Sequence, residues 1–562
     1  MKTTLPARPT IVAIAVVATL LVLSLALFSP HYQTNDDVAM RLLAEGRFVP
    51  QAGPLPFMMF MNIVIGKLLA TGYSLIPSIP WYDLLLGASL TIASGTLLRC
   101  WIGNATAVES ASASLLALFF LLPTFVSVQF TLAGMICAAA GLALLLRSWI
   151  RPSSNSRDAA AGVILFAVGS LIRFEGAILI AVETTALAVP LILGAWQDSR
   201  QRMRGALLSG FAALALAGGF FAANQVAYRS SKGWRDFYQY NLLRARLGEY
   251  LTPERLHAQT AANLARRVGW SQTDFVLFQN WFFVDPDLYS LAKVRAAEHL
   301  FYAVSDKPAR SWSKILAESM EIERDHIVEA RVALLFLLIY VLFRGVSGKM
   351  ILYFLWVLLV FASLILTVNL TLKAPPHRVF WPMLVMAATM LSFAAQRWSV
   401  QRPRLASILT GVCAVGVLIP AVHNLWRESE SRRIAASVTR RDVEKLLQTR
   451  ATMYILHGSA FPYQNYWQPL QPHETSFDFV ALGVSARTPP VQEFLRKTQR
   501  TDLPWALCND RRMLIVAEPY IMPLLQEFVA EHHRARVAFQ PVFRGKLFTA
   551  WRCHRENVAT GD

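Results

Sequence analysis

The chain has 562 residues, of which 55% are hydrophobic and 16% charged. A soluble enzyme carries about a quarter of its residues charged, so that class is excluded. The net charge of +18 does not point to nucleic acid: the lysines and arginines are spread over short loops between apolar runs, and no nucleic-acid-binding motif is present.

The start holds Lys2 and Arg8 before the first apolar run, and no small-residue cleavage site follows. This predicts an uncleaved first span over residues 11–28, with the N-terminus in the cytoplasm. Directly after it comes Gln33-Thr34-Asn35-Asp36-Asp37-Val38. Ionised side chains are costly within hydrocarbon, so an acidic pair at a membrane exit is a candidate for chemistry. A helix cap or a solvated loop explains the same pattern. The first outer loop runs over 29–82. Within it, 57–69 reads as a helix along the membrane interface, anchored by Trp81 and Tyr82.

Spans are expected over 83–98, 110–128 and 132–146, because basic loops at Arg99 and Arg147 alternate with a neutral turn holding Pro123, Gln129 and Thr131. The apolar stretch 159–195 is too long for one crossing and is broken by Arg173-Phe174-Glu175-Gly176. Only two crossings keep Arg200, Arg202 and Arg204 on the basic side. Arg173 and Glu175 then face outward, either as an ion pair in a turn or as an element binding a charged headgroup. A span over 206–226 leads to the polar segment 228–329. Its helical spacing at Trp234, Phe237, Tyr238, Asn241 and Leu242 predicts an exported helical subdomain.

Spans over 332–343, 351–370, 379–395 and 406–425 bring the total to about eleven. The loop before the tenth holds Lys373, Pro375, Pro376, His377 and Arg378. The prolines stiffen it by fixing φ, and arginine suits bidentate contact with phosphate. Snorkelling to the interface is the simpler alternative. The tail reads as a small exported α/β domain, with strands over 453–456, 513–517 and 548–551 and helices over 434–449 and 522–533. The five cysteines show no metal-type spacing. Cys508 and Cys553 either pair in an oxidising compartment or are two unrelated thiols. The chain divides into 1–227, 228–330, 331–425 and 426–562.

An acidic pair in the first outer loop, an interface helix, about eleven spans and an exported C-terminal domain together resemble the GT-C superfamily of membrane glycosyltransferases. The residues that carry the resemblance are Asn35-Asp36-Asp37 and Pro376-His377-Arg378-Val379. It implies an α-helical polytopic protein of the bacterial inner (cytoplasmic) membrane. Its reaction would move a hexosyl or pentosyl group from a polyprenyl-phosphate donor to an envelope glycan, lipid or protein acceptor on the outer face, with inversion. Asp36, or else Asp37, would be the general base. Arg378, Lys373 and Arg173 would bind the donor phosphate, and Glu175, His377 and Gln129 would contact substrate. Gln129 stands where a second acidic motif is expected. Hard divalent cations favour several oxygen ligands, so no metal or other cofactor is called for. The alternative is a transporter or lipid flippase, which places ionisable groups near mid-membrane; Glu183 is the residue that fits it. A non-catalytic assembly subunit is a third reading.

Overall fold

The computed structural model describes residues 7–50, 52–102, 107–150, 156–196, 200–250, 258–304, 332–335, 337–338, 347–371, 376–398, 404–471 and 477–556. The chain is mostly helical. The first part runs through α1 (Ala7–Leu27), α2 (Asn35–Glu45), α3 (Ile63–Leu75), α4 (Trp81–Ile102), α5 (Ala107–Val126), α6 (Phe130–Ile150), α7 (Ser156–Ile172), α8 (Phe174–Trp196) and α9 (Arg200–Ser230). A polar layer follows, built from α10 (Lys232–Ala245), α11 (Ala258–Arg267), α12 (Gln272–Gln279) and α13 (Leu291–Val304). The helices Gly348–Thr371 and His377–Trp398 rejoin the apolar bundle. Among the described residues, six helices are long and apolar enough to cross a membrane: α4, α6, α8, α9 and these last two. Outward faces are apolar too, at Leu207, Phe211 and Leu214 of α9 and at Leu352, Leu355 and Leu359. Helices that are apolar all round need lipid or protein on every side.

Two ends of this bundle can be told apart. At one, Arg99 at the end of α4 lies 3.1 Å from Asp158 at the start of α7, and Arg147 at the end of α6 lies 3.9 Å from the same carboxylate. α7 then runs the length of α6. Glycines let the two backbones touch: a Cβ at Gly169 would lie 2.6 Å from the Gly134 carbonyl oxygen, and one at Gly134 would lie 3.1 Å from Arg173 Cβ. α7 ends at Arg173, whose guanidinium lies over Phe60 and over Phe130 at the start of α6. α8 returns. Its Leu187 carbonyl accepts from Tyr353 Oη at 2.9 Å, and the Tyr353 ring packs on Trp398 at the far end of its helix. The stretch 159–195 therefore forms two antiparallel helices that turn at Arg173.

Two expectations are corrected, and a third falls partly outside the described residues. The interface helix begins at Ile63 rather than residue 57. Pro54 and Pro56 withhold backbone donors and bias their neighbours away from helix, and Asn62 supplies the cap by accepting from Val64 N at 3.0 Å. The division at 425 falls inside a single helix, Arg404–Leu447. Its second half is rich in helix formers and carries the pairs Glu428–Arg432 and Glu430–Arg433. Half of the expected span 332–343 lies outside the described residues.

The tail forms a five-stranded sheet of order β4-β3-β5-β7-β6, where β1 (His31–Tyr32) and β2 (Ser127–Val128) belong to the bundle. β3 (Met453–Leu456) pairs in parallel with β4 (Phe479–Ala481) and β5 (Met513–Val516). β7 (Thr549–Arg555) runs antiparallel to β5 and to β6 (Val537–Arg544). The expected strands are β3, β5 and β7. β4 is only three residues long, and β6 carries Pro541 beside a register shift, so neither announces itself in the sequence. Cys508 and Cys553 are disulfide-bonded, tying the helix Leu503–Asn509 to β7.

Candidate active site

β1 and β2 pair in parallel and pin the stretch after α1 against the turn before α6. Gln33 N adds a bond of 3.0 Å to the Val128 carbonyl. Thr34 is the extended N-cap of α2, and Asp36 and Asp37 fall in its first turn, where helix amides favour negative charge.

The two aspartates have different surroundings. Asp37 is buried. Its Oδ2 accepts from Thr34 Oγ1 at 2.7 Å, and its Oδ1 accepts from Tyr82 Oη and from Phe130 N, each at 3.0 Å. Burial nevertheless pushes its pKa up to about 7. Asp36 is half-buried and among the described residues accepts no hydrogen bond. Burial raises its pKa. Arg378, Arg244 and Arg173 act against that rise, and Glu249 adds to it. Three arginines from distant parts of the chain therefore bear on one open carboxylate.

Each arginine is held differently. Arg378 stands in the first turn of the helix His377–Trp398, and among the described residues it makes no ion pair. The adjoining His377 Nδ1 lies 3.5 Å from Gln33 Nε2, and its ring packs on Trp381. Arg173, at the α7–α8 turn, pairs with Glu175 at 3.3 Å and donates to the Phe60 carbonyl at 3.4 Å. Arg244 was not foreseen. It comes from α10, bonds Asn241 and Glu249, and lies 4.6 Å from the centre of the Trp281 ring. Trp281 holds a left-handed backbone (φ 66°), unusual for a bulky residue. The signal was available: Arg244 follows Phe237 and Tyr240 on the buried stripe of α10, where an arginine needs a reason.

The remaining expected residues divide. Glu175 is exposed and pairs with Arg173. Gln129 is a correction to the substrate-contacting set. It is fully buried, its Oε1 accepts from Leu132 N at 2.8 Å, and its Nε2 donates to Thr131 Oγ1 at 3.2 Å. It fastens the first turn of α6 and has no polar atom facing outward. Lys373 lies outside the described residues.

The C-terminal domain roofs this end of the bundle. Asn35 Nδ2 donates to the Gly458 carbonyl at 2.9 Å. Buried Arg41 lies 3.3 Å from Asp83 and donates to the carbonyls of Gln468 and Gln471, each at 2.9 Å. Asp83 also accepts from the Tyr32 hydroxyl and, at 2.8 Å, from Leu470 N. His457 Nε2 meets the Asn280 carbonyl at 2.8 Å, so that nitrogen carries the proton and joins the roof to the polar layer.

No family model and no curated protein matches the chain. Among solved structures it is similar to ArnT from Cupriavidus metallidurans bound to undecaprenyl phosphate, with 13% identity, 99% of each chain covered and a TM-score of 0.38. ArnT in the apo state gives 13% identity over 96% of this chain and 97% of that one, with a TM-score of 0.38. The archaeal oligosaccharyltransferase AglB from Archaeoglobus fulgidus, in complex with an inhibitory peptide and a dolichol-phosphate, gives 9% identity, 82% of this chain, 61% of that chain and a TM-score of 0.37.

Among the described residues, one grouping has metal-ligand spacing: Asp274, Glu531 and His532. It joins α12 to the helix Ile521–His533, and its atoms are engaged without an ion. His532 Nε2 meets Asp274 Oδ1 at 2.8 Å, Thr273 Oγ1 donates to Glu531 at 3.1 Å, and Asp274 Oδ2 caps Ser271 N at 2.8 Å. At the Asp36 end, Asp37 is filled by protein donors, so Asp36 is the carboxylate of the acidic motif with open lone pairs. An open carboxylate beside several cations can take a proton from a nucleophile while the cations receive an anionic leaving group.

Proposed function

We propose that the protein is an integral-membrane glycosyltransferase that moves a sugar from a polyprenyl-phosphate donor to a hydroxyl acceptor on the outer face of the bacterial cytoplasmic membrane. The observation that carries this reading is that Arg378, Arg244 and Arg173 all act electrostatically on Asp36, which is free of hydrogen bonds among the described residues. Asp36 removes the proton as the acceptor oxygen attacks the anomeric carbon. Attack opposite the leaving group inverts that carbon. The C–O bond to phosphate breaks, and the departing polyprenyl phosphate takes the electron pair. Arg378, whose charge is not spent on a protein carboxylate among the described residues, receives the phosphate. Arg173 and Arg244 add to the field from their paired positions. Asp37 fixes the geometry of α2 through its three donors and is a positioning residue. A lipid monophosphate leaves with its charge matched by arginine, so no cation is assigned a role.

In this reading the bundle crosses the membrane about eleven times with the N-terminus in the cytoplasm. The polar layer and the disulfide-bonded C-terminal domain lie outside, where such a bond persists. The test is transfer by the full-length protein in nanodiscs, with radiolabelled polyprenyl-phosphate pentoses and hexoses and a bacterial envelope extract as acceptor. Wild-type protein transfers label and Asp36→Asn does not. Equal transfer by both would remove the role of the base.

A transporter draws support from one observation. Glu183 is fully buried in α8, and neither carboxyl oxygen has a hydrogen-bond partner among the described residues. Glu183→Gln separates the two readings: a transferase keeps its rate within about threefold, whereas a transporter that moves charge through this group loses flux.

A further inference from the structure

Two amide side chains beside Asp36 are each tied at one end and open at the other. Asn35 Nδ2 donates to the Gly458 carbonyl at 2.9 Å, while Asn35 Oδ1 is buried with no partner among the described residues. The amide orientation is fixed, because turning it would set two carbonyl oxygens against each other. Gln33 Nε2 lies 3.5 Å from His377 Nδ1, while Gln33 Oε1 is buried with no partner among the described residues. This arrangement matches the His377 tautomer that carries its proton on Nε2, in which Nδ1 accepts from Gln33 Nε2 and Gln33 Oε1 is the atom left unmet.

The chain geometry sets the two on one side. Thr34 between them is extended (φ −133°, ψ 154°), and alternate side chains of an extended segment leave the same side. Asp36 follows directly in the first turn of α2. Buried acceptors without donors are uncommon in folded proteins. Here two of them adjoin the one open carboxylate of the motif. A peptide backbone brings a carbonyl with every amide and would need protein donors in return. A polyol brings several hydroxyl donors at short spacing, which is what two acceptor oxygens receive.

We propose that the side-chain oxygens of Gln33 and Asn35 accept hydrogen bonds from sugar hydroxyls beside Asp36, and that this pair sets sugar specificity. The inference rests on the transferase reading above. The hydroxyls belong either to the donor sugar or to a carbohydrate acceptor. Because Asn35 is bonded to Gly458, the roof domain sets the position of this contact.

The test compares ligands with and without the sugar, using full-length protein in nanodiscs. Affinity is measured for bare polyprenyl phosphate and for a panel of polyprenyl-phosphate pentoses and hexoses; binding of the corresponding free methyl glycosides is followed by saturation-transfer NMR. In wild type at least one sugar adds about tenfold or more to affinity, or one methyl glycoside binds. Gln33→Met and Asn35→Leu remove that increment, and Gln33→Glu, which keeps an acceptor oxygen, retains it. Loss of the lipid-linked increment assigns the hydroxyls to the donor; loss of glycoside binding alone assigns them to the acceptor. Gln33→Met covers the case in which Asn35→Leu fails to fold, since among the described residues the Gln33 side chain makes one weak hydrogen bond. The inference is overturned if both variants keep both sugar signals, or if wild type shows neither while binding bare polyprenyl phosphate. Failure of wild type to bind bare polyprenyl phosphate would instead strike the transferase reading itself.

Discussion

The two ends of the helical bundle handle charge in opposite ways. At the Arg99 end, two arginines close on one aspartate: Asp158 lies 3.1 Å from Arg99 and 3.9 Å from Arg147. The Arg147 guanidinium also donates to the Arg99 carbonyl at 3.0 Å. At the other end, Asp36 stands among three arginines without a hydrogen bond to any of them. Nothing in side-chain chemistry prevents a closed pair there. Arg173 is drawn aside by Glu175, Phe60 and Phe130, and Arg244 by Asn241, Glu249 and Trp281. These arginines are thus engaged by other partners while still acting on Asp36, which suits a ligand of mixed character: a hydroxyl to be deprotonated and a phosphate to be received.

The comparison can be broken by substitution at each end. The largest effect is expected for Asp36→Asn, which lowers kcat by about 10²–10⁴-fold in the transfer assay with little change in donor KM. Arg378→Gln comes next, with a loss of about 10²-fold in kcat/KM. It also moves the acid limb of the pH profile upward. Arg378 opposes the rise in the Asp36 pKa, so without it the base stays protonated to higher pH.

Asp37→Asn should cost about tenfold in rate, through misplacement of α2. Its clearer readout is stability against pH. Folding raises the Asp37 pKa from 3.8 to about 7, so the folded protein holds this proton more tightly than the unfolded chain. The contribution is complete below about pH 4 and is lost as pH rises through about 7. The thermal midpoint of the wild type, less that of the variant, should fall across this window. The smallest effect is expected at the closed end. Arg99→Gln leaves transfer within twofold and costs at most about 1 kcal/mol of stability, as a partly exposed ion pair should.

What the sequence made legible follows the same division. Apolar runs and loop charge marked the helices, and the Arg173 break was readable because 159–195 exceeds one crossing. The acidic motif was visible because an ionised pair directly after an apolar run is costly if drawn into hydrocarbon, and Arg378 because prolines stiffen the basic loop that holds it. Three features were hidden for separate reasons. Arg244 lies in a segment whose aromatics read as a packed core, and its approach to Asp36 depends on tertiary folding of α10 against the bundle. Gln129 occupied the right turn, yet its amide is used within that turn, which spacing alone does not reveal. The link from Asn35 to Gly458 spans 423 positions, and no local pattern marks it. Hydropathy changes at residue 425, yet the helix Arg404–Leu447 runs straight through it, because nothing in the backbone stops there.

The central claim is that, in the proposed reaction, Arg378 receives the lipid phosphate while Asp36 deprotonates the acceptor on the opposite face of the same anomeric carbon. Its most direct test is the affinity of nanodisc-embedded protein for polyprenyl phosphate, measured by native mass spectrometry. Arg378→Gln should weaken binding by about tenfold or more, while Asp36→Asn, which removes a like charge, should bind as tightly as wild type or tighter. Unchanged binding in Arg378→Gln, or weakened binding in Asp36→Asn, would contradict the account.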